Sequence, residues 1–174
     1  GLRLMECVRL RVHNFNFEGN KLYVLGKGTK FRISVFPQLI KDEIRNHLDK
    51  VKNLHEKDIA DGYGETYLPN ALAKKYPGAA KEYKWQYVFP AKKLSQDPRS
   101  DKMRRHHVLE SGLQKAVRTA VRQTGITKRI GCHTFRHSFA THMLENGINI
   151  RMVQQLMGHA DVKTTEIYTH EMQK

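Results

Sequence analysis

The sequence is poor in the features that mark membrane and secreted proteins. No apolar run approaches the roughly 18 residues of a membrane-spanning helix, and no lipidation motif is visible, so we expect no membrane partner. The only two cysteines, Cys7 and Cys132, lack a CxxC partner, which excludes a disulfide framework and favours a cytoplasmic location. No signal peptide is present either. Because the chain opens at Gly1 without a methionine, we interpret that start as a cut within a longer protein.

Acidic residues are scarce relative to basic ones. The 174 residues include 31 Lys and Arg against 17 Asp and Glu, which gives a formal net charge of +14. Such an excess favours a polyanionic partner, because nucleic-acid phosphates bind basic surfaces with release of counterions. A solvated basic surface without a partner is the plain alternative. The hydrophobic fraction of 39% and the chain length together predict one folded domain over residues 1–174.

Hydrophobic periodicity predicts a mixed α+β domain that is predominantly helical. Residues 21–25 and 31–36 are short β-prone runs joined by the glycine-bearing GKGTK, which indicates a hairpin in a small antiparallel sheet. Apolar residues at helical spacing in 40–55 predict a long amphipathic helix after Pro37. Residues 61–98 hold most of the prolines and predict loops and short helices, with the WQYVF run as a strand or buried segment.

The last third of the chain predicts consecutive helices. Apolar residues in 109–121 recur on one helical face, which we expect to be core. A second helix is expected over 134–147. In that helix we expect Phe135, Phe139 and Met143 to point inward.

The C-terminal third also concentrates side chains suited to phosphoryl transfer. HTFRH (133–137) and LMGHAD (156–161) precede Tyr168, which follows His159 by nine residues. A phosphodiester under attack gains charge on its non-bridging oxygens, and arginine can bind them with paired hydrogen bonds. Arg136 and His159 are the obvious candidates for this task. A tyrosine with its ordinary pKa of about 10 needs neighbouring positive charge to act as a nucleophile at neutral pH.

Several boxes together resemble the tyrosine recombinase family, which includes the phage integrases and the bacterial Xer enzymes. HTFRHSFATH (133–142), LMGH (156–159) and YTH (168–170) resemble the family's C-terminal signature. GLRLME (1–6) resembles its first arginine box, and GKGTK (26–30) resembles its β-ribbon lysine. Each box alone is a weak signal, whereas their joint occurrence in family order along nearly the whole chain is specific.

The resemblance implies a role for each matching residue. Tyr168 would attack a DNA phosphate and form a 3′-phosphotyrosine. The phosphate would be held by Arg3, Arg136 and His159. Lys27 would protonate the leaving 5′-oxygen, His133 would assist proton movement at the nucleophile, and Glu6 would support the site. We expect no metal and no other cofactor, because the protein's own cations can stabilise the developing charge.

Residues 66–107 are similar to the insertion that distinguishes integron integrases within this family, in the blocks KYP, WQYVFP, DPRS and RRHH. In those enzymes the insertion helps to grip a folded single-stranded recombination site by its extrahelical bases. Aromatic rings offer stacking faces for bases, while arginine and histidine offer donors to phosphates and base edges. The candidate DNA-binding residues are Lys30, Trp85, Arg104, Arg105, His106 and His107.

The resemblance also implies the partners of the molecule. These are double-stranded and folded single-stranded recombination sites in DNA, and three further copies of the chain in a homotetrameric synaptic complex. The reaction would integrate and excise gene cassettes, and no small-molecule substrate is expected.

Plainer interpretations exist for most of these features. The four aromatic residues of YKWQYVF (83–89) are more often core than base-stacking groups, and we expect at least half of them to be buried. Tyr168 could be an ordinary residue of an amphipathic helix. His133 and His137 could bind zinc, but the glutamate of an HExxH site and a third ligand are missing. The competing functions are a DNA-binding fragment without autonomous catalysis and a type IB topoisomerase.

Overall fold

The structure, a computed structural model, describes residues 1–26 and 31–172. The helices in these residues are α1 (Leu4–Val8), α2 (Lys41–Ala60), α3 (Asn70–Lys75), α4 (Glu110–Gln123), α5 (Cys132–Glu145), α6 (Ile150–Met157) and α7 (Lys163–Met172). The strands are β1 (Phe15–Asn16), β2 (Lys21–Leu25), β3 (Phe31–Val35), β4 (Ser95–Gln96) and β5 (Met103–Arg104). None of the helices in this part of the chain is long and apolar enough to cross a membrane.

The chain divides into two compact units. The first comprises Gly1–Cys7, Lys21–Val35 and Glu110–Lys174, and the second comprises Val8–Asn20 and Phe36–Leu109. In the first unit a β2–β3 hairpin accompanies helices α4 to α7, and in the second a β4–β5 pair accompanies α2 and α3. Both strand pairs are antiparallel and helices predominate, which confirms the predicted α+β class.

The hairpin of the first unit separates its side chains onto two faces. In its register Tyr23 lies opposite Ile33, and Val24 lies opposite Arg32. Because side chains alternate along a strand, one face is buried, and its buried members are Leu22, Val24 and Ser34. The other face exposes a row of apolar side chains: Tyr23, Leu25, Phe31, Ile33 and Val35. The predicted hairpin is therefore confirmed, with Arg32 on its inner face.

Helices α5, α6 and α7 form the core of the first unit. Its buried members are Ala140, Val153, Met157 and Tyr168, with Phe139, Met143, Leu144 and Ile148 packed against them. Helix α6 begins after Asn149, whose side-chain oxygen accepts a hydrogen bond from the amide of Arg151 at 2.8 Å. Gly158 ends this helix with φ of 65°, a left-handed conformation that glycine adopts without strain. The turn at Gly158 directs the chain to His159.

Helix α5 buries a different face from the one that its sequence predicts. Phe135 is 58% exposed, whereas Arg136 and Ala140 are buried. The prediction that Phe135 packs inward is therefore wrong, although Phe139 and Met143 do contact the core. The apolar pattern gave the wrong face because Arg136 points inward, where it donates hydrogen bonds to two carbonyl oxygens.

Helix α4 also departs from its predicted packing. Its sequence is amphipathic, yet none of its residues is buried in the structure. Leu113, Val117 and Val121 are half-buried, and Leu109, just before the helix, is 71% exposed. The predicted core face is thus wrong for the part of the chain that the structure describes. Periodicity identifies the face that can be buried, but it carries no information on whether another element covers that face.

The second unit is built on the long helix α2. This helix buries Leu48, Val51 and His55, so the predicted amphipathic helix is confirmed. The hydroxyl of Tyr83 donates a hydrogen bond to the carbonyl oxygen of Leu48 at 2.8 Å, which ties residues 83–85 to the helix. The unit therefore packs its aromatic segment along one side of α2.

The WQYVF segment is buried as predicted, but its rings are not uniformly so. The buried residues of the segment are Gln86, Tyr87 and Val88. Three rings of the region contact a histidine ring and are only half-buried: Tyr83, Trp85 and Phe89. Tyr76 is exposed. The expectation that at least half of the four rings of YKWQYVF are buried is therefore wrong, because only Tyr87 among them is buried.

The core of the first unit can be tested with two methionines of α6. Met157 is fully buried, whereas Met152 is 54% exposed. We expect Met157→Ala to lower the free energy of unfolding by about 2–5 kcal/mol, because it leaves a cavity between α5 and α7. The matched change Met152→Ala should cost less than about 0.5 kcal/mol. Urea denaturation followed by circular dichroism measures both, and equal losses would contradict the assigned core.

Candidate active site

The predicted catalytic residues that the structure describes all belong to the first unit. Arg3 and Glu6 stand at the start of α1, His133 and Arg136 on α5, His159 after α6, and Tyr168 on α7. The other two predicted residues of the GKGTK box, Lys27 and Lys30, lie outside the described residues. Four segments that are far apart in sequence therefore supply one unit with guanidinium, carboxylate, imidazole and phenol groups.

The carboxylate of Glu6 binds the arginine side chains of the site, and we call Glu6, Arg3 and Arg32 the arginine cluster. The Nη1 of Arg3 donates to the Glu6 Oε1 at 2.8 Å, and the backbone amide of Arg3 donates to the Glu6 Oε2 at 2.8 Å. The Nη2 of Arg3 donates to the carbonyl oxygen of Gly158 at 3.0 Å. The Arg3–Glu6 pair is therefore also linked to the end of α6. Only 7% of the Glu6 side chain is exposed, against 38% for that of Arg3.

Arg32 is a member of the cluster that sequence analysis missed. Its Nη1 and Nη2 donate to the two Glu6 oxygens at 2.8 and 2.7 Å, and its Nε donates to the carbonyl oxygen of Leu156 at 2.9 Å. A signal for it was available: in FRISVF, Arg32 alternates onto the face that the strand buries. An inward-facing arginine is costly to bury unless its donors are paired.

Arg136 is buried and makes three hydrogen-bonding contacts within the protein. Its Nη2 donates to the carbonyl oxygen of Met157 at 2.6 Å and contacts Nε2 of His159 at 3.1 Å, and its Nη1 donates to the carbonyl oxygen of Gly1. Burial and the charge of Arg3 lower the pKa of Arg136 to about 10. The guanidinium is therefore charged at neutral pH and held in one orientation.

His159 is held between two helices. Its backbone amide donates to the carbonyl oxygen of Gln154 on α6 at 3.1 Å, and its Nδ1 lies 2.9 Å from the hydroxyl of Thr165 on α7. Burial, followed by the charges of Arg136 and Arg3, lowers the pKa of His159 to about 4. The imidazole is thus neutral at pH 7. Thr165 was not among the predicted site residues.

Tyr168 lies beside this histidine. The Tyr168 ring stacks near-parallel to the ring of His159, with centroids 6.3 Å apart, and meets the ring of His137 edge-on at 5.1 Å. The residue is only 5% exposed and belongs to the core cluster of the unit. The phenol, the imidazole and the Arg136 guanidinium therefore form one contiguous group.

His133 occupies a more open position. It is exposed, one helical turn before Arg136, and it lines a cavity of about 360 Å³ together with Arg3, Cys132 and Arg118. The structure thus brings His133 close to the arginine box without a direct hydrogen bond among the described residues. No group of three or more side chains suited to hold a metal ion occurs in residues 1–26 and 31–172.

The predicted DNA-binding arginines of the second unit are paired with carboxylates. Arg104 donates to Asp97 and lies 3.4 Å from an oxygen of Glu65, and Arg105 makes two hydrogen bonds to Asp58 at 2.5 and 2.6 Å. A DNA phosphate would have to compete with these partners. Their role in DNA binding stays a prediction.

The other predicted DNA-binding residues of this unit differ in accessibility. His107 is buried, whereas Trp85 and His106 are half-buried. His106 lines a cavity of about 240 Å³ in which the Arg99 guanidinium lies over the Tyr67 ring, 4.5 Å from its centroid. Burial and the neighbouring His107 lower the pKa of His106. A neutral imidazole beside a stacked cation and ring is an environment that can accept a planar group.

Comparison with known proteins identifies the family of this chain. The model of the phage integrase family matches residues 1–174. This chain belongs to that family. Among curated relatives, an integrase/recombinase of Escherichia coli is 43% identical over 171 residues, which is 98% of this chain and 51% of the relative. The tyrosine recombinase XerD of Listeria innocua is 31% identical over 98% of this chain and 46% of its own length.

The solved structures point to the same family. The crystal structure of XerA recombinase matches 97% of this chain and 48% of that protein, with a TM-score of 0.66 and 25% sequence identity. The chain thus spans about half the length of the relatives that it matches. The family assignment and the fold follow from these matches, and both agree with the resemblance carried by the arginine, histidine and tyrosine boxes.

The paired carboxylate predicts a pH-dependent stability. Burial alone would raise the pKa of Glu6, but hydrogen bonds from Arg32 and Arg3 lower it from 4.5 to about 2. Since the folded-state pKa lies below the unfolded value, the stabilisation is complete above about pH 4.5 and is lost as the pH falls toward 2. We expect Glu6→Gln to cost on the order of 2–3 kcal/mol at pH 7 and to remove this pH dependence.

Denaturant unfolding at several pH values between 2 and 7 measures this effect. Glu145→Gln, a change at an exposed position of α5, is the control and should leave stability within about 0.5 kcal/mol. A Glu6→Gln variant whose stability parallels that of the wild type at every pH would show that the carboxylate does not hold the cluster together.

Proposed function

We propose that this chain is the catalytic part of a tyrosine site-specific DNA recombinase. The observation that carries the proposal is the convergence of Arg3, Arg136, His159 and Tyr168 within one unit, from segments that begin and end the chain. Cations gathered beside a phenol are the groups that attack on a phosphodiester requires. The net charge of +14 supports DNA as the substrate, because it favours binding to a phosphate backbone.

The proposed reaction exchanges one phosphoester for another. The Tyr168 oxygen forms a bond to phosphorus as the bond from phosphorus to the 5′-oxygen breaks. The phenol loses its proton, and the 5′-oxygen gains one, for which Lys27 is the proposed donor. Rejoining is the reverse attack by a 5′-hydroxyl. The covalent intermediate conserves the ester, so strand exchange needs no ATP.

The positions of the cationic groups support the roles proposed for them. Arg3 keeps its side chain 38% exposed while Glu6 orients it, so its guanidinium is available to a non-bridging phosphate oxygen. Arg136 is held by carbonyl oxygens, which preorganise its fork for the charge that develops on phosphorus. His159 adds an imidazole donor, and His133 serves proton movement near the nucleophile. Preorganised donors of this kind need little rearrangement during the chemical step.

The nucleophile requires one movement. Tyr168 is 5% exposed, and its ring lies in the core cluster. Attack on a phosphate requires the phenol oxygen to reach the substrate, so we infer that substrate binding shifts α7 relative to α5 and α6.

We further propose that the recombinase is an integron integrase that integrates and excises gene cassettes. Support comes from residues 66–107, which are similar to the insertion of those enzymes in four separate blocks. The cavity lined by Tyr67, Arg99 and His106 offers stacking and hydrogen-bonding groups for an extrahelical base of a folded single strand. The candidate contacts remain Lys30, Trp85, Arg104, Arg105, His106 and His107, and the working assembly is a homotetramer on bacterial DNA in the cytoplasm.

The first test is covalent capture on DNA. We expect the wild-type chain to form a protein–DNA adduct with a nicked suicide oligonucleotide, and Tyr168→Phe to form none. The affinity of the variant should stay within about twofold, because one hydroxyl contributes little to a mainly electrostatic interface. Denaturing gel electrophoresis measures the adduct and a filter-binding titration measures affinity. Loss of binding and adduct together would argue that Tyr168 is structural.

The second test separates charge from geometry at Arg136. Arg136→Lys keeps the charge but loses the planar fork, so we expect cleavage to fall by roughly 100-fold or more. The control is Arg151→Lys, at an exposed position of α6. Circular dichroism verifies that both variants fold. Cleavage by Arg136→Lys at the wild-type rate would remove this residue from the reacting centre.

Two further assays test the kind of recombinase. A cassette recombination assay with a folded single-stranded site measures strand exchange between partners, whereas relaxation of a supercoiled plasmid measures topoisomerase activity. Exchange on the folded site supports the integron proposal. Relaxation without any exchange would favour the type IB topoisomerase alternative.

A further inference from the structure

Thr165 is a fully buried polar residue whose hydroxyl faces the imidazole of His159. Its exposure is 0%, and its Oγ1 lies 2.9 Å from Nδ1 of His159. It stands on α7 one helical turn before Tyr168, so both side chains lie on the same face of that helix. None of the sequence boxes gave this threonine a role.

The contacts of His159 fix which ring nitrogen carries the proton. The Arg136 Nη2 lies 3.1 Å from Nε2, and a guanidinium has only donors, so Nε2 must accept. A neutral imidazole carries a single N–H, which then resides on Nδ1 and is donated to the hydroxyl of Thr165. The lowered pKa of His159, about 4, is consistent with a neutral ring.

A phosphate places the opposite demand on this ring. Phosphate oxygens accept hydrogen bonds, so Nε2 must carry a proton to bind one. For a neutral ring this requires the other tautomer, in which Nδ1 is an acceptor. A backbone carbonyl or a carboxylate beside Nδ1 could only accept and would oppose that tautomer. A hydroxyl can accept in one state and donate in the other, and Thr165 provides one.

We propose that Thr165 is a positioning residue that supports both tautomers of His159: its hydroxyl accepts from Nδ1–H in the free protein and donates to Nδ1 when Nε2–H turns to a substrate phosphate. The exchange is balanced, because Nδ1 releases one proton to solvent and Nε2 takes one up. The second half of the proposal rests on the proposed recombinase function, whereas the first half concerns the free protein alone.

The surrounding contacts limit the effect of a substitution to the ring. The backbone of His159 is held by α6, through its amide to the Gln154 carbonyl at 3.1 Å and through the Gln154 side-chain amide to the His159 carbonyl at 3.2 Å. The ring is held by α7 through Thr165. Removing the hydroxyl should therefore leave the chain path intact and free the Nδ1 side of the imidazole, while Arg136 still contacts Nε2.

The first experiment reads the tautomer directly in the full chain without DNA. Long-range ¹H–¹⁵N NMR distinguishes a protonated ring nitrogen from an unprotonated one, and His159→Gln assigns the signals. We expect Nδ1–H to dominate in the wild type and in Thr165→Ser. In Thr165→Val, which lacks the hydroxyl at nearly the same volume, Arg136 still donates to Nε2, so the proton should stay on Nδ1 but lose its hydrogen bond, with an upfield Nδ1–H signal and faster exchange with water. The same Nδ1–H shift and exchange rate in wild type and Thr165→Val would overturn the proposal.

The second experiment reads catalysis under single-turnover conditions on the suicide oligonucleotide. We expect Thr165→Val to slow cleavage by roughly 10- to 100-fold, the range expected when a buried donor or acceptor loses its partner, with DNA affinity unchanged. Thr165→Ser should restore cleavage to within about threefold, and Thr164→Val, at the exposed neighbouring position, should cleave normally.

The outcomes separate the two proposals. If Thr165→Val does not fold, Thr165→Ala also lacks the hydroxyl and carries the same expectations. A lost Nδ1–H hydrogen bond with unaltered cleavage would overturn the catalytic half of the proposal, and so would a Thr165→Ser variant as slow as Thr165→Val. A wild-type chain that never cleaves DNA contradicts the proposed function, while the NMR comparison still decides whether Thr165 accepts a hydrogen bond from Nδ1–H.

Discussion

The ionised carboxylate of Glu6, shared between Arg3 and Arg32, is the interaction on which the first unit depends. Three guanidinium groups approach one another here, since Arg136 also feels the charges of Arg3 and Arg32. Without an anion among them, their mutual repulsion and loss of hydration would oppose folding. Glu6 supplies that anion in the most effective form, with each oxygen accepting from both arginines. The low pKa of Glu6 results from these hydrogen bonds.

The same carboxylate links elements that are far apart in sequence. Arg32 brings β3 to the end of α6 through the Leu156 carbonyl, and Arg3 brings α1 to the Gly158 carbonyl. His159 follows directly. The placement of the imidazole is thus a consequence of two ion pairs and a helix end, and α7 then closes the group from the other side with Thr165 and Tyr168.

Much of this organisation could be predicted from the sequence, because the boxes are local. The β2–β3 hairpin, helix α2 and membership of the phage integrase family all followed from runs of neighbouring residues. What could not be predicted depends on contacts between distant residues. Phe135 was expected to be buried because apolar side chains usually are. Instead Arg136 is buried, because carbonyl oxygens from distant parts of the chain accept its hydrogen bonds.

The same limit applies to charged residues that satisfy one another. Arg104 and Arg105 read in sequence as groups free for DNA, because nothing local reveals that Asp97, Glu65 and Asp58 fold beside them. Arg32 carried a hint in the strand alternation, but its partner Glu6 lies 26 residues away. Thr165 carried none, since its role is set by the position of a single imidazole nitrogen.

The glycine that ends α6 has a consequence for how this chain can vary. Gly158 has a positive φ, which strains any other residue, and a Cβ there would lie 2.9 Å from Cδ of Arg32. A larger residue would thus meet a backbone penalty and a collision at once, and relief of the collision would pull Arg32 away from its carboxylate. A substitution at Gly158 would therefore disturb His159, strand β3 and helix α1 at the same time, because all three are held by contacts at this turn. We expect glycine to be strongly preferred at this position.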